Sequence, residues 1–430
     1  MIKFFKFLIY NNKINNKKDF LYRDKDDQTN IIFKDLIFDN IQINDDEIIF
    51  AGNKYTLSSI FKGGLGIESI SFIDCKFNNS TEFKSLLNYN YKFNNCEFNE
   101  IKFNKIKKKI VSTTDKYRED RIEFKKGKIS SLIIKKSEFN GKFYINPQYN
   151  EKDNKTCEID SMVIEETVFN ENFKLHDCEI KSVNIHNTDF IKNADFFKSK
   201  FLQKEQDINF QSINFGGLAL FGECKFHSNF IMEYVTITGL SHFREAEFFG
   251  GLNLDKSNIE KEMNFFNIVG LDKISEKNDT SQETYRILKY NCEKIGNIIE
   301  ANKYNALELE KKKLKLEFND NKVDWMIFQG NYLASRFGTN WVYPLAGILI
   351  VGFLTMIVLH HNRFPELLYS TNLINWKIFF SGLDKAFEYM YILNKDKVFE
   401  GWGFIFLVNK ILLGYLYYQF VTAVRKDTRK

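Results

Sequence analysis

Residues 165–201, EETVFNENFKLHDCEIKSVNIHNTDFIKNADFFKSKF, decide how the chain is read. Bulky side chains fall at Leu175, Ile180, Ile185 and Phe190, five apart each time, and then at Phe196 and Phe201. Something small stands two places before most of the bulky residues: Thr167 before Phe169, Cys178 before Ile180, Thr188 before Phe190, Ala194 before Phe196, Ser199 before Phe201. A period of five matches neither a helix at 3.6 nor a flat strand at 2.0. It matches a chain that turns a corner every five residues, with the bulky and the small residue both pointing inward. Repetition at a short fixed period marks a solenoid, in which each layer touches only its neighbours.

The pattern extends outward over residues 67–270, about half of the chain. On these residues the sequence resembles the pentapeptide-repeat family, in its Phe-rich branch. The resemblance implies a mainly β fold: a right-handed quadrilateral β-helix whose four five-residue faces make coils of about 20 residues. Phe77, Phe98, Ile180, Ile185, Phe190, Phe201, Phe226 and Phe248 are expected at inward bulky positions. Cys75, Cys96, Cys157, Cys178 and Cys224 each stand two before such a position and are expected in the inward small slot, as buried free thiols acting as small hydrophobes. The period lapses near 104–130, where Lys107, Lys108 and Lys109 lie, and near 145–157; both read as insertions. Residues 1–66, with short strands near 31–33, 36–38 and 47–50, read as an N-terminal cap over an otherwise open sheet edge.

Composition narrows the function. The 430 residues include 45 Phe and only 3 Pro, which suits a thin apolar axis inside a polar surface. A net charge of +5 indicates no polyanionic partner, so no nucleic acid is expected. Charge is uneven, however: residues 67–150 carry 17 basic and 10 acidic side chains, and residues 151–270 carry 12 and 20. Solvated faces explain this, and so does a polarised surface for a partner. The cysteines show no zinc spacing and fit a reducing compartment. The chain lacks GxGxxG, P-loop, HExxH and GxSxG motifs, and His176 and His186 stand ten apart in the register and should face opposite sides. No catalytic, metal or cofactor residues are assigned, and a non-enzymatic role is expected.

After residue 270 the period changes to that of a helix. Residues 271–320 read as a long amphipathic α-helix, opened by a capping box of Thr280 and Glu283 and striped by Tyr285, Leu288, Cys292, Ile295 and Ile299. It would pack on the last coil or form a coiled coil. Residues 321–430 read as a membrane domain with spans at 342–360 and 402–424. The aromatic segment 374–390 between them is interfacial or re-entrant. The basic tail after the second span places the C-terminus, and with it the repeat domain, on the cytoplasmic side.

Two further stretches carry a second resemblance. Ser335 to Trp341, including Phe337, Gly338 and Trp341, and a later stretch with Gly414, Tyr418, Gln419, Arg425 and Lys426 are similar to segments of bacterial membrane proteins that bear these repeats. The relatives have an Arg where Asn409 and Lys410 stand here. The resemblance implies a multi-pass protein of the bacterial inner membrane, with the lipid bilayer as one partner and no settled biochemical role. Two functions follow as expectations. One is a scaffold whose cytoplasmic β-helix binds a protein partner. The other is a homo-oligomeric, channel-like pore gated through the β-helix, in phage defence. What separates the two is whether Lys410 and the 374–390 segment line a water path; Asn409 and Lys410 form a pore or a helix–helix contact in an oligomer, or Lys410 snorkels to an interface.

Overall fold

A strand that ends at a corner after a few residues cannot satisfy its own amides, so the equivalent strand one layer away must do so. The computed structural model, which describes residues 30–39, 41–43, 47–50, 53–56, 69–84, 90–106, 121–146, 156–275, 278–319, 321–359, 383–384, 386–392 and 403–428, solves the problem in that way. Strands pair in parallel, like on like. Cys157 pairs with Cys178, Met162 with Val183 and Phe169 with Phe190, each a step of 21 residues. Phe215 pairs with Ile237 and Ile237 with Ile259, steps of 22. This long parallel series fits a β-helix-like solenoid. The chain divides into two units, Met1–Thr284 and Tyr285–Lys430, and the series belongs to the first.

The layer is longer than the 20 residues expected, and the backbone gives the reason. Left-handed residues recur at Asp177, Asn187 and Lys198, then at Glu223, Tyr234, Glu245, Lys256 and Asn267, with φ between 48° and 59°. That is two corners per layer, about eleven residues apart. Each costs an L-residue on the order of 1–2 kcal/mol. At the earlier corners the small residue that follows offsets part of this cost through a hydrogen bond to the carbonyl two residues before it, whereas Ser199 and Cys224 donate instead to the Leu175 and Phe196 carbonyls of the layer before. Thr167 Oγ1 donates to the Glu165 carbonyl at 2.9 Å, Thr188 to His186 at 3.0 Å, Ser137 to Lys135 at 2.8 Å, and the Cys178 thiol to His176 at 3.2 Å. Cys75, Cys96 and Cys178 therefore act as corner donors as well as small hydrophobes.

All five, Cys75, Cys96, Cys157, Cys178 and Cys224, are buried and unbridged. Burial pushes the Cys178 and Cys224 thiols well up, which keeps them protonated and able to donate. Gly127 occupies the slot between Cys96 and Cys157 in one stack. Its φ is +104°, and a Cβ there would lie 2.2 Å from the Cys96 carbonyl oxygen, so no side chain fits.

Inside, equal residues stack. Phe33, Phe72, Phe93 and Phe124 form one ladder, with ring centroids 5.1, 5.0 and 4.9 Å apart. Phe196, Phe221, Phe243 and Phe265 form another at 4.8, 4.8 and 5.2 Å. These distances match the ~4.8 Å between neighbouring strands. Phe77, Phe98, Ile180, Ile185, Phe190, Phe201, Phe226 and Phe248 are all buried here. Outside, Lys225 meets Glu247 at 2.7 Å and Lys200 meets Glu179 at 2.9 Å across adjacent layers. Such exposed pairs contribute little each, typically under ~1 kcal/mol.

Two boundaries differ from the sequence reading. The parallel series already includes strand Asn30–Lys34, which pairs with Ser69–Ile73, so residues 30–43 belong to the stack. Among the described residues of the expected cap, only Glu47–Phe50 and Asn53–Thr56 run antiparallel, Glu47–Phe50 pairing with Ile41–Ile43 of the stack and Asn53–Thr56 with Glu47–Phe50. The first insertion is shorter than 104–130, because Arg121–Lys135 is a full strand of the series. Its lysines Lys125, Lys126 and Lys128 escape the core, while Ile122, Phe124 and Ile129 fill it. At the far end of the unit, Thr280 Oγ1 and Thr284 Oγ1 accept the Leu252 and Leu254 amides at 3.1 and 2.8 Å, closing part of the open edge.

The expected long helix is two, α1 (Gln282–Lys294) and α2 (Ile298–Lys315), separated at Gly296 with φ +79°. Ser281 caps α1, in place of Thr280, by accepting the Thr284 amide at 3.0 Å. A helix the sequence reading omitted follows, α3 (Lys322–Ser335). Then come α4 (Val342–Leu359) and α5 (Gly403–Thr428), both long and apolar enough to cross a membrane. Of the 374–390 segment only 383–384 and 386–390 are described, and they are helical; the rest lies outside the described residues.

Replacing Phe221, fully buried between Phe196 and Phe243, with Ala is expected to cost about 3–5 kcal/mol. Phe266→Ala, at a side chain 64% exposed, should stay within about 0.5 kcal/mol. Urea unfolding of the detergent-solubilised full chain reads the difference, and equal losses would contradict the ladder as the stabilising core.

Candidate functional site

The polar residues of the second unit gather where α3 turns into α4. Three successive left-handed residues, Arg336 (φ 47°), Phe337 (φ 57°) and Gly338 (φ 80°), reverse the chain there. Ser335 holds the reversal: its hydroxyl accepts the Gly338 amide at 2.9 Å, and its carbonyl accepts the Thr339 and Asn340 amides at 3.1 Å. Asn340 then caps α4 through the Val342 amide at 3.0 Å.

Ser335 is fully buried and its hydroxyl donates to Gln419 Oε1 at 2.7 Å. Gln419 Nε2 donates onward to Asn331 Oδ1 at 2.9 Å, and the Tyr415 hydroxyl donates to the same oxygen at 2.7 Å. Lys426 Nζ donates to the Phe337 carbonyl at 3.3 Å. The two stretches singled out in the sequence thus meet as one cluster that ties α3 to α5. Phe337, Gly338, Gln419 and Lys426 take part. Trp341, Tyr418 and Arg425 are exposed instead, and a Cβ at Gly414 would touch nothing. Asn331 was missed as a member, although it stands one helical turn before Ser335 and so shares its face.

A second polar contact lies deeper. Asn409, 2% exposed, donates from Nδ2 to Thr355 Oγ1 at 2.7 Å, and Thr355 donates in turn to the Val351 carbonyl at 2.8 Å. The contact joins α4 and α5 of one chain. Thr355 had a legible signal, as a hydroxyl in an otherwise apolar run. Lys410 points elsewhere: it donates to the Tyr391 carbonyl and lies 4.8 Å over the Phe406 ring. Between these levels Ile348, Met356, Ala386, Met390, Leu413 and Leu416 pack as an apolar cluster. Gly352 lets Met390 approach, since a Cβ there would fall 2.4 Å from its Cγ.

The arrangement suits holding helices together in a medium without water, where an unpaired amide is costly. No group of three or more metal-ligating side chains occurs among the described residues. His176, a buried side chain, pairs with Asp195 at 2.8 Å, and His186 with Glu165 at 3.2 Å, as separate contacts of the first unit.

Gln419→Leu removes the centre of the cluster and leaves Ser335 and Asn331 short of partners. It should lower stability by ~1–2 kcal/mol, the upper range for such bonds in membranes. Thermal unfolding in detergent checks this beside Tyr418→Leu, whose side chain is 66% exposed and whose change should be small. Comparison with known proteins returns no matching family model, no curated protein and no solved structure.

Proposed function

We propose that this chain is a non-enzymatic, membrane-anchored protein of the pentapeptide-repeat type, in its Phe-rich bacterial form. Its first unit is a right-handed quadrilateral β-helix, held on the cytoplasmic side of the inner membrane, where it binds a protein partner. The observation that carries the reading is the coexistence in one chain of a parallel series of Phe ladders and two helices apolar enough to cross a membrane. A protein partner is favoured by the late layers, where Tyr234, Leu240, Phe249, Phe266 and Val269 are 50–64% exposed.

Alkaline carbonate should leave the protein in the membrane pellet, and protease should cut the first unit in inverted vesicles while sparing it in right-side-out ones. Release by carbonate would sink the anchor, and cleavage from the outside would sink the orientation.

One observation favours a second reading, the oligomeric pore. Asn409 Oδ1 has no hydrogen-bond partner among the described residues, deep in α5 and next to Lys410. Against it, Asn409 already spends its amide on Thr355 within the same chain. Liposomes carrying the full-length protein should hold an ion gradient equally well with and without Lys410→Leu. Leakage that changes with the substitution would reverse the order of the two readings.

A further inference from the structure

One side of α3 is used up by the chain itself. Phe328 and Tyr332 lie against Phe337 at 6.0 and 5.9 Å, and Asn331 and Ser335 belong to the cluster with Gln419. The opposite side is an apolar stripe at helical spacing, namely Val323, Met326, Ile327, Gly330 and Leu333. Its large side chains are 61%, 55%, 53% and 70% exposed. A row of four exposed apolar side chains on one short helix is unfavourable in water and marks an interaction surface.

The side of α3 opposite the stripe and the two ends of the helix are cationic. Lys312 lies 5.0 Å over the Phe328 ring, Lys313 3.4 Å over Tyr332, and Arg336 5.1 Å over Tyr343. Lys322 opens the helix and lies 5.6 Å over Phe318, and Lys426 is bound at the Phe337 carbonyl. The acid of α3, Asp324, is engaged at the helix start by Asn321. Apolar side chains on one face with lysine and arginine around them form the pattern of a helix lying in a lipid interface.

Position distinguishes lipid from a protein partner. α3 is joined to α4 by the three-residue left-handed reversal and is bonded to α5 near its basic end, so the stripe sits where both candidate spans terminate. We propose that α3 lies along the surface of an anionic bilayer, with Val323, Met326, Ile327 and Leu333 in the headgroup–acyl boundary and the cations against lipid phosphates. This rests on the membrane-spanning reading. Each cation near such a surface strengthens the contact about fivefold.

The test uses full-length protein in liposomes, labelled with an environment-sensitive NBD probe at Ile327→Cys, beside a Glu260→Cys control and the unlabelled parent as blank. Vesicles are phosphatidylcholine alone or with phosphatidylglycerol, and carbonate resistance is measured on the same samples. The probe at 327 should emit to the blue of the control and be bleached by external dithionite several-fold more slowly, with greater protection when phosphatidylglycerol is present. Carbonate-resistant protein with a water-like probe at 327 would overturn the interfacial placement while leaving the spans intact. Equal protection in both lipids would overturn the role given to the cations. Protection that rises with protein density at fixed lipid would assign the stripe to a second copy. Carbonate-extracted protein would overturn the spans and this placement together.

Discussion

Every parallel layer must present to the next one the same groups at the same places, because a strand spacing of ~4.8 Å is also the distance at which aromatic rings stack. The structure of the first unit depends on that coincidence. Phenylalanine above phenylalanine satisfies the backbone ladder and the packing of the core in a single register, and a slip of one residue would turn the ladder outward. The abundance of phenylalanine in the chain is a direct expression of it. So is the burial of Phe72, Phe93, Phe221 and Phe243.

The corners supply the second requirement. A left-handed residue turns the chain, and at many corners the next residue is small enough to fit and donates to a nearby carbonyl. Serine, threonine and cysteine meet both conditions, and alanine meets the first. Glycine does so at Gly127, where the neighbouring carbonyl comes too close for any side chain. In the second unit the same economy of polar groups recurs on helices. Ser335, Gln419 and Asn331 satisfy one another, and Thr355 serves Asn409.

Much of this was legible in the sequence, and what was not has physical causes. Alternation of small and bulky residues is visible because both point into the core. The layer length of 21–22 was not legible, because the left-handed corners are occupied by Glu223, Tyr234, Lys198 and Lys256 as readily as by asparagine or aspartate. Residues 121–130 looked like insertion because their lysines dominate the composition, whereas Ile122, Phe124 and Ile129 decide the placement. The cap of α1 was misplaced by one residue, since Thr280 and Ser281 both qualify and the hydroxyl of Thr280 serves the Leu252 amide instead. Helix α3 went unread because its apolar stripe faces away from the rest of the unit. The cluster around Ser335 joins residues more than eighty positions apart, and no local pattern announces which of the motif residues will meet.

Between Asn184 and its partner Asn209 the step lengthens to 25 residues, with the extra chain around 203–207. The ladder is not broken there. Gln203 accepts the Val183 amide with its side chain at 3.0 Å and donates to the Asp207 carbonyl at 2.6 Å, standing in for backbone that has looped out. A single glutamine thus acts as a splice, letting the chain take on new surface without disturbing the layers on either side. Because lengthening a loop costs only slowly growing entropy, such splices make corners the natural entry points for added sequence. They allow the outside of the protein to diversify while its axis stays constant.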